Sequence, residues 1–386
     1  MTASKRRVVI YRDRLLPYSE TFIPAQASRL ARYCPTYVGT RALPGGQHLE
    51  PSTILSASPR RLWQLAYKTG VAVPPAWPSQ LMALKPDLIH AHFGSDGGLV
   101  LPLARAIGRP LMVTFHGYDA TWETPPWSLG MMRRRGDFFR ALLLRQRDIC
   151  LTGADQLIAV SDYIRRQLLQ RGAENSHIRV HYIGVDREFF APDLTQRRQP
   201  MVLFVGRLVE KKGVAYLVRA MAAVVRQHTA TLTVVGDGPL RSDLETMADR
   251  LGVSAHFTGR QTPEQVRQWM NLAQICCGPS IVAKSGDAEG FGMVFAEAQA
   301  MGLPVVGFAS GGIPEAVCHG ETGLLVPEKN VEELARALVT LLADRPLRQR
   351  FARAAQARVA KRFDLQTNTR ELELLYDRLV ERHGLP

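Results

Sequence analysis

Two glutamates eight residues apart, Glu289 and Glu297, flank the turn Gly290-Phe291-Gly292. Carboxylates accept hydrogen bonds from vicinal hydroxyls, which a sugar and a ribose both offer. Upstream, Arg207 and Lys212 stand five apart between Gly206 and Gly213. A guanidinium grips two oxygens at once and an ammonium supplies a point charge, the pairing that suits a diphosphate. Taken alone, these residue types also suit a capped helix with solvated acids and a solvated basic loop, so the elements around them must decide.

Gly290 and Gly292 let the backbone come close to a ligand. Met293 to Met301 contains no Gly or Pro and predicts a helix. The first N–H groups of such a helix lack internal partners and carry partial positive charge, which a diphosphate can occupy. Short apolar runs predict strands at Val8–Tyr11, Asp87–Ala91, Leu111–Phe115, Gln156–Val160, Val180–Tyr182, Met201–Val205 and Thr231–Val235. Strands alternating with helical patterns predict doubly wound parallel sheets, whose ligands bind at the carboxyl ends of strands. His92 and His116 both fall at strand ends. Ser161 is read as the N-cap of the next helix, and Ser19 or Thr21 as a cap near the N-terminus. Thr40 to Pro86 reads as irregular, with one helix near Arg60–Lys68 and with Trp77 among Pro74, Pro75 and Pro78.

The chain has 386 residues, enough for two domains, and 46% hydrophobic residues, which is globular. No apolar run approaches the roughly 20 residues of a membrane span. The N-terminal apolar run is too short for a signal peptide. Five cysteines without a Cys-x-x-Cys pair suggest reduced, buried thiols. The net charge of +14 admits nucleic acid, an anionic membrane surface or an anionic substrate as partner. Arg133, Arg134, Arg135, Arg140, Arg145 and Arg147 crowd one stretch after Trp122 and Trp127. That crowding favours a membrane surface, because no nucleic-acid-binding motif accompanies it.

Several motifs in order carry a family resemblance. The pair Glu289 and Glu297 around Gly-Phe-Gly resembles the motif of retaining glycosyltransferases of family four. The segment from Gly206-Arg207 to Lys212-Gly213 resembles their Gly-Arg-x-x-x-x-Lys-Gly element, and His116-Gly117-Tyr118-Asp119 resembles their His-Gly-x-Asp segment. Ser19-Glu20-Thr21-Phe22-Ile23 is similar to a subset of bacterial transferases that build exopolysaccharide or cell-surface glycans. The resemblance covers roughly residues 87–345. Two departures stand out: Arg12 and Asp13 follow the first strand where relatives commonly have a Gly-rich loop, and Ile183 stands where they often have Asn.

The resemblance implies an α/β GT-B fold, with two Rossmann-like doubly wound parallel-sheet domains and a cleft between them. Residues 1–190 would bind the acceptor and residues 191–365 the nucleotide-sugar, while residues 366–386 would cross back to the first domain. It implies a hexose moved from a nucleotide-sugar to an acceptor hydroxyl with the anomeric configuration kept. His116 would lie against the donor sugar or its phosphate, His92 would stand on the acceptor side, and Glu289 would hold sugar hydroxyls. Arg207 and Lys212 would neutralise the leaving diphosphate with the backbone at Gly290, Phe291 and Gly292. Glu297 would hold the ribose, with the Gly236 loop beside the nucleotide and Arg260 at the base. The two domains of such enzymes are expected to close on binding.

A divalent metal could neutralise the same charge. The chain contains no Asp-x-Asp, Asp287-x-Glu289 being the nearest approach, so neither a metal nor another cofactor is expected. The expected partners are a nucleotide-sugar donor, a glycan or lipid-linked saccharide acceptor and an anionic membrane surface, with no nucleic acid. The expected location is the cytoplasm, peripheral on the inner face of the membrane. A GT-B-like epimerase or phosphorylase and a non-catalytic basic binding protein are the rival readings; neither accounts for the ordered motifs as well.

Overall fold

The computed structural model describes residues 5–43, 46–123 and 135–385. The chain forms two compact units, residues 1–183 with 366–386, and residues 184–365. The first is built on seven parallel strands: β1 (Arg6–Tyr11), β2 (Tyr33–Gly39), β3 (Ser52–Ile54), β4 (Leu88–His92), β5 (Leu111–Phe115), β6 (Gln156–Ala159) and β7 (Ile178–Val180). Their order across the sheet is β3-β2-β1-β4-β5-β6-β7. Every residue of β4 and β5 is buried. A parallel sheet covered on both faces produces such unbroken apolar runs, which is why these strands are legible in the sequence. Helix α1 (Gly94–Ala106) packs on this sheet, and helix α2 (Arg135–Gly153) packs on α1.

The second unit repeats the plan with six parallel strands: β8 (Met201–Val205), β9 (Thr231–Val235), β10 (Ala255–Gly259), β11 (Ile275–Gly278), β12 (Val305–Phe308) and β13 (Gly323–Val326). Their order is β10-β9-β8-β11-β12-β13. Its helices include α3 (Val214–Val224), α4 (Met293–Ala300) and α5 (Arg345–Arg362). In each sheet the order reverses once, between β1 and β4 and between β8 and β11. A crevice opens at the carboxyl ends of the strands flanking such a reversal. The last helix, α6 (Leu365–Arg382), sets Leu372, Tyr376, Leu379 and Val380 into the core of the first unit beside Val8, Ile10 and Leu88.

Several local expectations change. Residues 40–86 are more regular than their composition implies: β3 and a helix at Trp77–Ala83 lie there, beside the expected helix at Arg60–Lys68. Trp77 is buried, edge-on to Tyr67 at 4.7 Å. Thr21 occupies the N-cap of the Phe22–Ala27 helix but makes no side-chain cap bond, whereas Ser161 accepts one from the Ile164 N–H at 3.1 Å. The basic stretch is not one solvated face. Arg147 is buried, donates to the Trp122 carbonyl at 2.8 Å and pairs with Asp148. Arg140 donates to the Glu123 carbonyl and lies over the Trp122 ring. Trp127 and the side chains of Arg133, Arg134 and Arg135 lie outside the described residues. Among the described residues, no helix is long and apolar enough to cross a membrane.

Candidate active site

The reversal point of the second sheet gathers most of the predicted residues. Past β8 the chain runs through Gly206 and Arg207 into a short turn, Glu210–Lys212, closed by Gly213 at φ 63°. A Cβ on Gly213 would stand 1.9 Å from the Pro279 carbonyl oxygen, so only glycine lets this loop meet the exit of β11. The Ile281 N–H donates to the Lys211 carbonyl at 2.7 Å and fastens the two loops.

This register brings two ammonium groups onto two carboxylates. Lys212 Nζ lies 2.5 Å from Glu289 Oε2, and Lys211 Nζ lies 2.9 Å from Asp287 Oδ1. All four side chains are largely shielded from water, between 9% and 17% exposed. Burial alone would push the Glu289 carboxyl up, but Lys212, Lys211 and Arg207 outweigh it and hold it down at about 2. Past β12, the Gly312 N–H donates to the Glu289 carbonyl at 2.9 Å and supports the loop from behind.

Glu297 lies one turn into α4, whose N-cap Gly292 adopts φ 88°. Its surroundings are different. Burial pushes its carboxyl up to about 7, against the pull of Lys212. The two glutamates therefore sit on opposite sides of their ordinary range: one is charged at any working pH, the other half-protonated near neutrality. Phe291 is buried with its ring 5.0 Å from Phe363, so its side chain belongs to the core.

Gly236 and Arg260 stand at the neighbouring strand ends. A Cβ on Gly236 would lie 1.9 Å from the Gly206 carbonyl oxygen, and its N–H donates to the Gly259 carbonyl at 2.8 Å. The ends of β8, β9 and β10 are thus laced together, with Arg207 and Arg260 both exposed at that edge. The Arg207 carbonyl accepts from the Val209 N–H at 3.0 Å, whereas its guanidinium makes no hydrogen bond or ion pair among the described residues.

His116 belongs to the other unit, one residue past β5. Asp119 holds its turn: the carboxylate accepts from the backbone N–H of His116 at 3.1 Å, Gly117 at 2.8 Å and Gly94 at 3.0 Å. His92 Nδ1 lies 3.0 Å from His116 Nε2. His90 stacks on His92 with ring centroids 4.4 Å apart, and bonds Tyr376 Oη at 2.6 Å and Thr114 Oγ1 at 2.7 Å. Burial pushes all three imidazoles down, His90 to about 3, so the column is neutral at physiological pH.

The segment after β1 carries a charge lattice that motif reading missed. Arg12 donates through Nε and Nη2 to both oxygens of Glu20, at 2.9 and 2.8 Å, and through Nη1 to Asp96 at 2.6 Å. Its guanidinium lies over the Phe93 ring, 4.2 Å from the centroid. Phe93 itself adopts φ 73°, a left-handed conformation that costs an ordinary residue about 1–2 kcal/mol. Asp96 also accepts from the Asp13 N–H at 2.8 Å, and Asp13 pairs with Lys68 at 3.1 Å. The partners are up to 84 residues apart, beyond any local pattern. The one sequence signal for them is the departure from a Gly-rich loop at Arg12.

Comparison with known proteins agrees with this geometry. A family model described as "Glycosyltransferase Family 4" matches residues 20–189, and one described as "Glycosyl transferases group 1" matches residues 185–358. The chain is 32% identical, over 67% of its length and 68% of the relative's, to the GDP-mannose-dependent alpha-(1-6)-phosphatidylinositol monomannoside mannosyltransferase of Mycobacterium tuberculosis. It is 29% identical to the amylovoran biosynthesis glycosyltransferase AmsK of Erwinia amylovora, over 76% of this chain and 70% of that one. Among solved structures it resembles Anabaena HepE, crystallised with UDP and glucose, at 22% identity and a TM-score of 0.76, over 97% of this chain and 100% of that one. The repeated strand order, the acid and ammonium pairs at the second reversal point and these matches lead to one conclusion: the chain is an enzyme of the family 4, group 1 glycosyltransferases, with the GT-B fold.

Proposed function

We propose that the chain is a retaining, metal-independent hexosyltransferase. It takes a hexose from a nucleotide-sugar and passes it to a glycan or lipid-linked saccharide in exopolysaccharide or cell-surface glycan synthesis. The observation that carries this reading is the group Lys212, Glu289 and Glu297: one cation, one permanently charged acid and one acid poised near neutrality. By their names one relative is a phosphatidylinositol monomannoside mannosyltransferase and another a glycosyltransferase of amylovoran biosynthesis, which supports the acceptor class.

In this reading the donor's diphosphate takes Lys212 away from Glu289 and is gripped by Arg207 as well. Glu289, released, accepts hydroxyls of the hexose. As the bond from C1 to the phosphate oxygen breaks, charge grows on the leaving group and these cations stabilise it in place, a preorganised electrostatic effect. The acceptor oxygen bonds to C1 on the face the phosphate leaves, and its proton passes to a phosphate oxygen. His116 meets the donor sugar or its phosphate. Asp287 and Glu289 each already face an ammonium, which supports side-chain cations in the place of a divalent ion. The test is a thermal-shift screen across nucleotide-sugars, followed by product analysis in EDTA. A binding donor should stabilise by about 2.7 kcal/mol at a hundredfold its Kd. The product should keep the donor's anomeric configuration, and turnover should persist in EDTA. Inverted product, or activity restored only by magnesium, overturns the reading.

Glu297 predicts a pH dependence. Its carboxylate form accepts from two ribose hydroxyls, whereas the protonated form must first lose a proton. With its carboxyl at about 7, donor affinity should be flat above neutrality and fall as pH drops. One unit below, the Kd should rise about tenfold. Both phosphates of a nucleotide-sugar are diesters and do not titrate there. Calorimetric titration from pH 8 to pH 5.5 checks this, with Glu297→Gln expected to bind weakly and without that slope.

A further inference from the structure

We propose that His92 is a positioning residue for His116: through its Nδ1 it occupies His116 Nε2, fixes the tautomer of that imidazole and leaves Nδ1 as the nitrogen that meets the donor. This rests on the proposed role of His116, and it replaces the acceptor-side role that the sequence suggests for His92.

The strand geometry dictates the arrangement. His90 and His92 are two apart in β4 and so project on one face of the sheet. His92 pairs in register with Thr114 of β5, and His116 lies two residues beyond it, on the same face one strand over. The result is a column of three rings, with His90 against His92 at 4.4 Å and His92 against His116 at 5.2 Å, interplanar angles 29° and 21°. His90 is 1% exposed, His92 is 3% exposed and His116 is half-buried, so the column runs from the core outward.

Its inner end is anchored. Both ring nitrogens of His90 are engaged, by Tyr376 of α6 and by Thr114. His92 is clamped between His90 and His116 and walled by Ile10, Ile23 and Gln26, around a cavity of only about 10 Å³. The backbone after it is held in the strained conformation of Phe93, whose ring also packs on His116 at 4.7 Å.

A neutral imidazole has one N–H and one bare nitrogen. When two neutral rings share one bond, their tautomers are coupled. If His92 Nδ1 donates, His116 carries its proton on Nδ1; if His116 Nε2 donates, its Nδ1 is bare. Either way His116 is held in one tautomer, and its outer nitrogen offers a ligand one fixed role. A histidine that met the acceptor directly would not need its Nδ1 spent on another ring. Arg12, close enough to lower both imidazoles, adds a cation that opposes protonation of the pair.

The experiment reads the ring nitrogens directly. The full chain, labelled with nitrogen-15 histidine, is recorded at neutral pH as wild type, His92→Phe, His92→Asn and His116→Phe, the last to assign the signal. In wild type, His116 should show one protonated and one bare nitrogen, well separated. In His92→Phe, which keeps the stacked ring but no nitrogen, the two signals should converge as tautomers exchange. Its kcat should fall on the order of tenfold, with the donor KM changed less than twofold. His92→Asn, which restores a donor and an acceptor, should recover a single tautomer and most of kcat. Converged His116 signals in the wild type, or unchanged signals and kcat in His92→Phe, overturn the proposal, and the wild-type spectrum decides even where a variant does not fold. Wild-type kcat in His116→Phe would instead remove the role given to His116, while the tautomer measurement would still report on His92.

Discussion

Lys212→Ala is expected to slow turnover at saturating donor a hundred- to a thousandfold, the about 3–4 kcal/mol that a single preorganised charge-stabilising group contributes in a shielded site. The ammonium is placed by the Glu210–Lys212 turn and the left-handed Gly213, so its position does not depend on a flexible loop finding the ligand. The control is Lys211→Ala. Lys211 is buried and paired with Asp287, so its loss should lower the melting temperature while reducing kcat far less. Steady-state kinetics and thermal melts of both variants check this. A Lys212→Ala enzyme within threefold of wild type, or a Lys211→Ala enzyme that is the slower of the two, would move the diphosphate elsewhere.

Glu289→Gln should cost kcat about 2–3 kcal/mol, roughly thirty- to a hundred-and-fifty-fold, with little change in donor KM. The amide keeps the shape and one acceptor oxygen but lacks the negative charge that a cationic sugar centre needs. A second readout is independent of activity. The carboxyl is held at about 2, below its ordinary 4.5. A depressed acid contributes stability that is fully present above the ordinary value and is lost as pH falls from 4.5 towards 2. The variant lacks that contribution, so its urea midpoint should fall less steeply than wild type across this window. A variant with wild-type kcat and a wild-type acid slope would show that Glu289 is neither near the reacting centre nor held by its lysines. At pH above 5 the wild-type rate should show no limb from Glu289, because the group is ionised throughout. The limb near neutrality belongs to Glu297.

Half of this site was legible as motif. Glu289, Glu297, Arg207 and Lys212 sit at spacings short enough for one loop and one helix turn to relate them, and the glycines between them mark where backbone must pass backbone. The first unit was less readable. Arg12, Glu20 and Asp96 form one ion lattice, yet each looks locally like a solvated charge, and Asp96 reads as an ordinary first-turn acid of a helix. Arg147 misled in the same way: within an Arg-rich run it reads as a surface cation, but α2 turns it inward onto the Trp122 carbonyl. Trp77, set among prolines in a stretch that reads as irregular, is core. Residue type indicates what a side chain can do, and the direction in which it points depends on what packs behind it.

The amino-acid sequence alone determined the alternation of strand and helix, and with it two parallel sheets, because apolar runs bounded by turn residues are local facts of the chain. It also placed the two cations just past a strand and the two acids around the start of a helix, because glycines and the ends of apolar runs mark those turns. Only the tertiary structure decided which charges meet. The pairing of Lys212 with Glu289 bridges 77 residues. It exists because β8 and β11 lie side by side at the point where the strand order reverses. The opposite protonation of two glutamates eight residues apart was decided there too. Burial raises both alike, and the lysines delivered by the neighbouring strand offset it fully at one and only in part at the other.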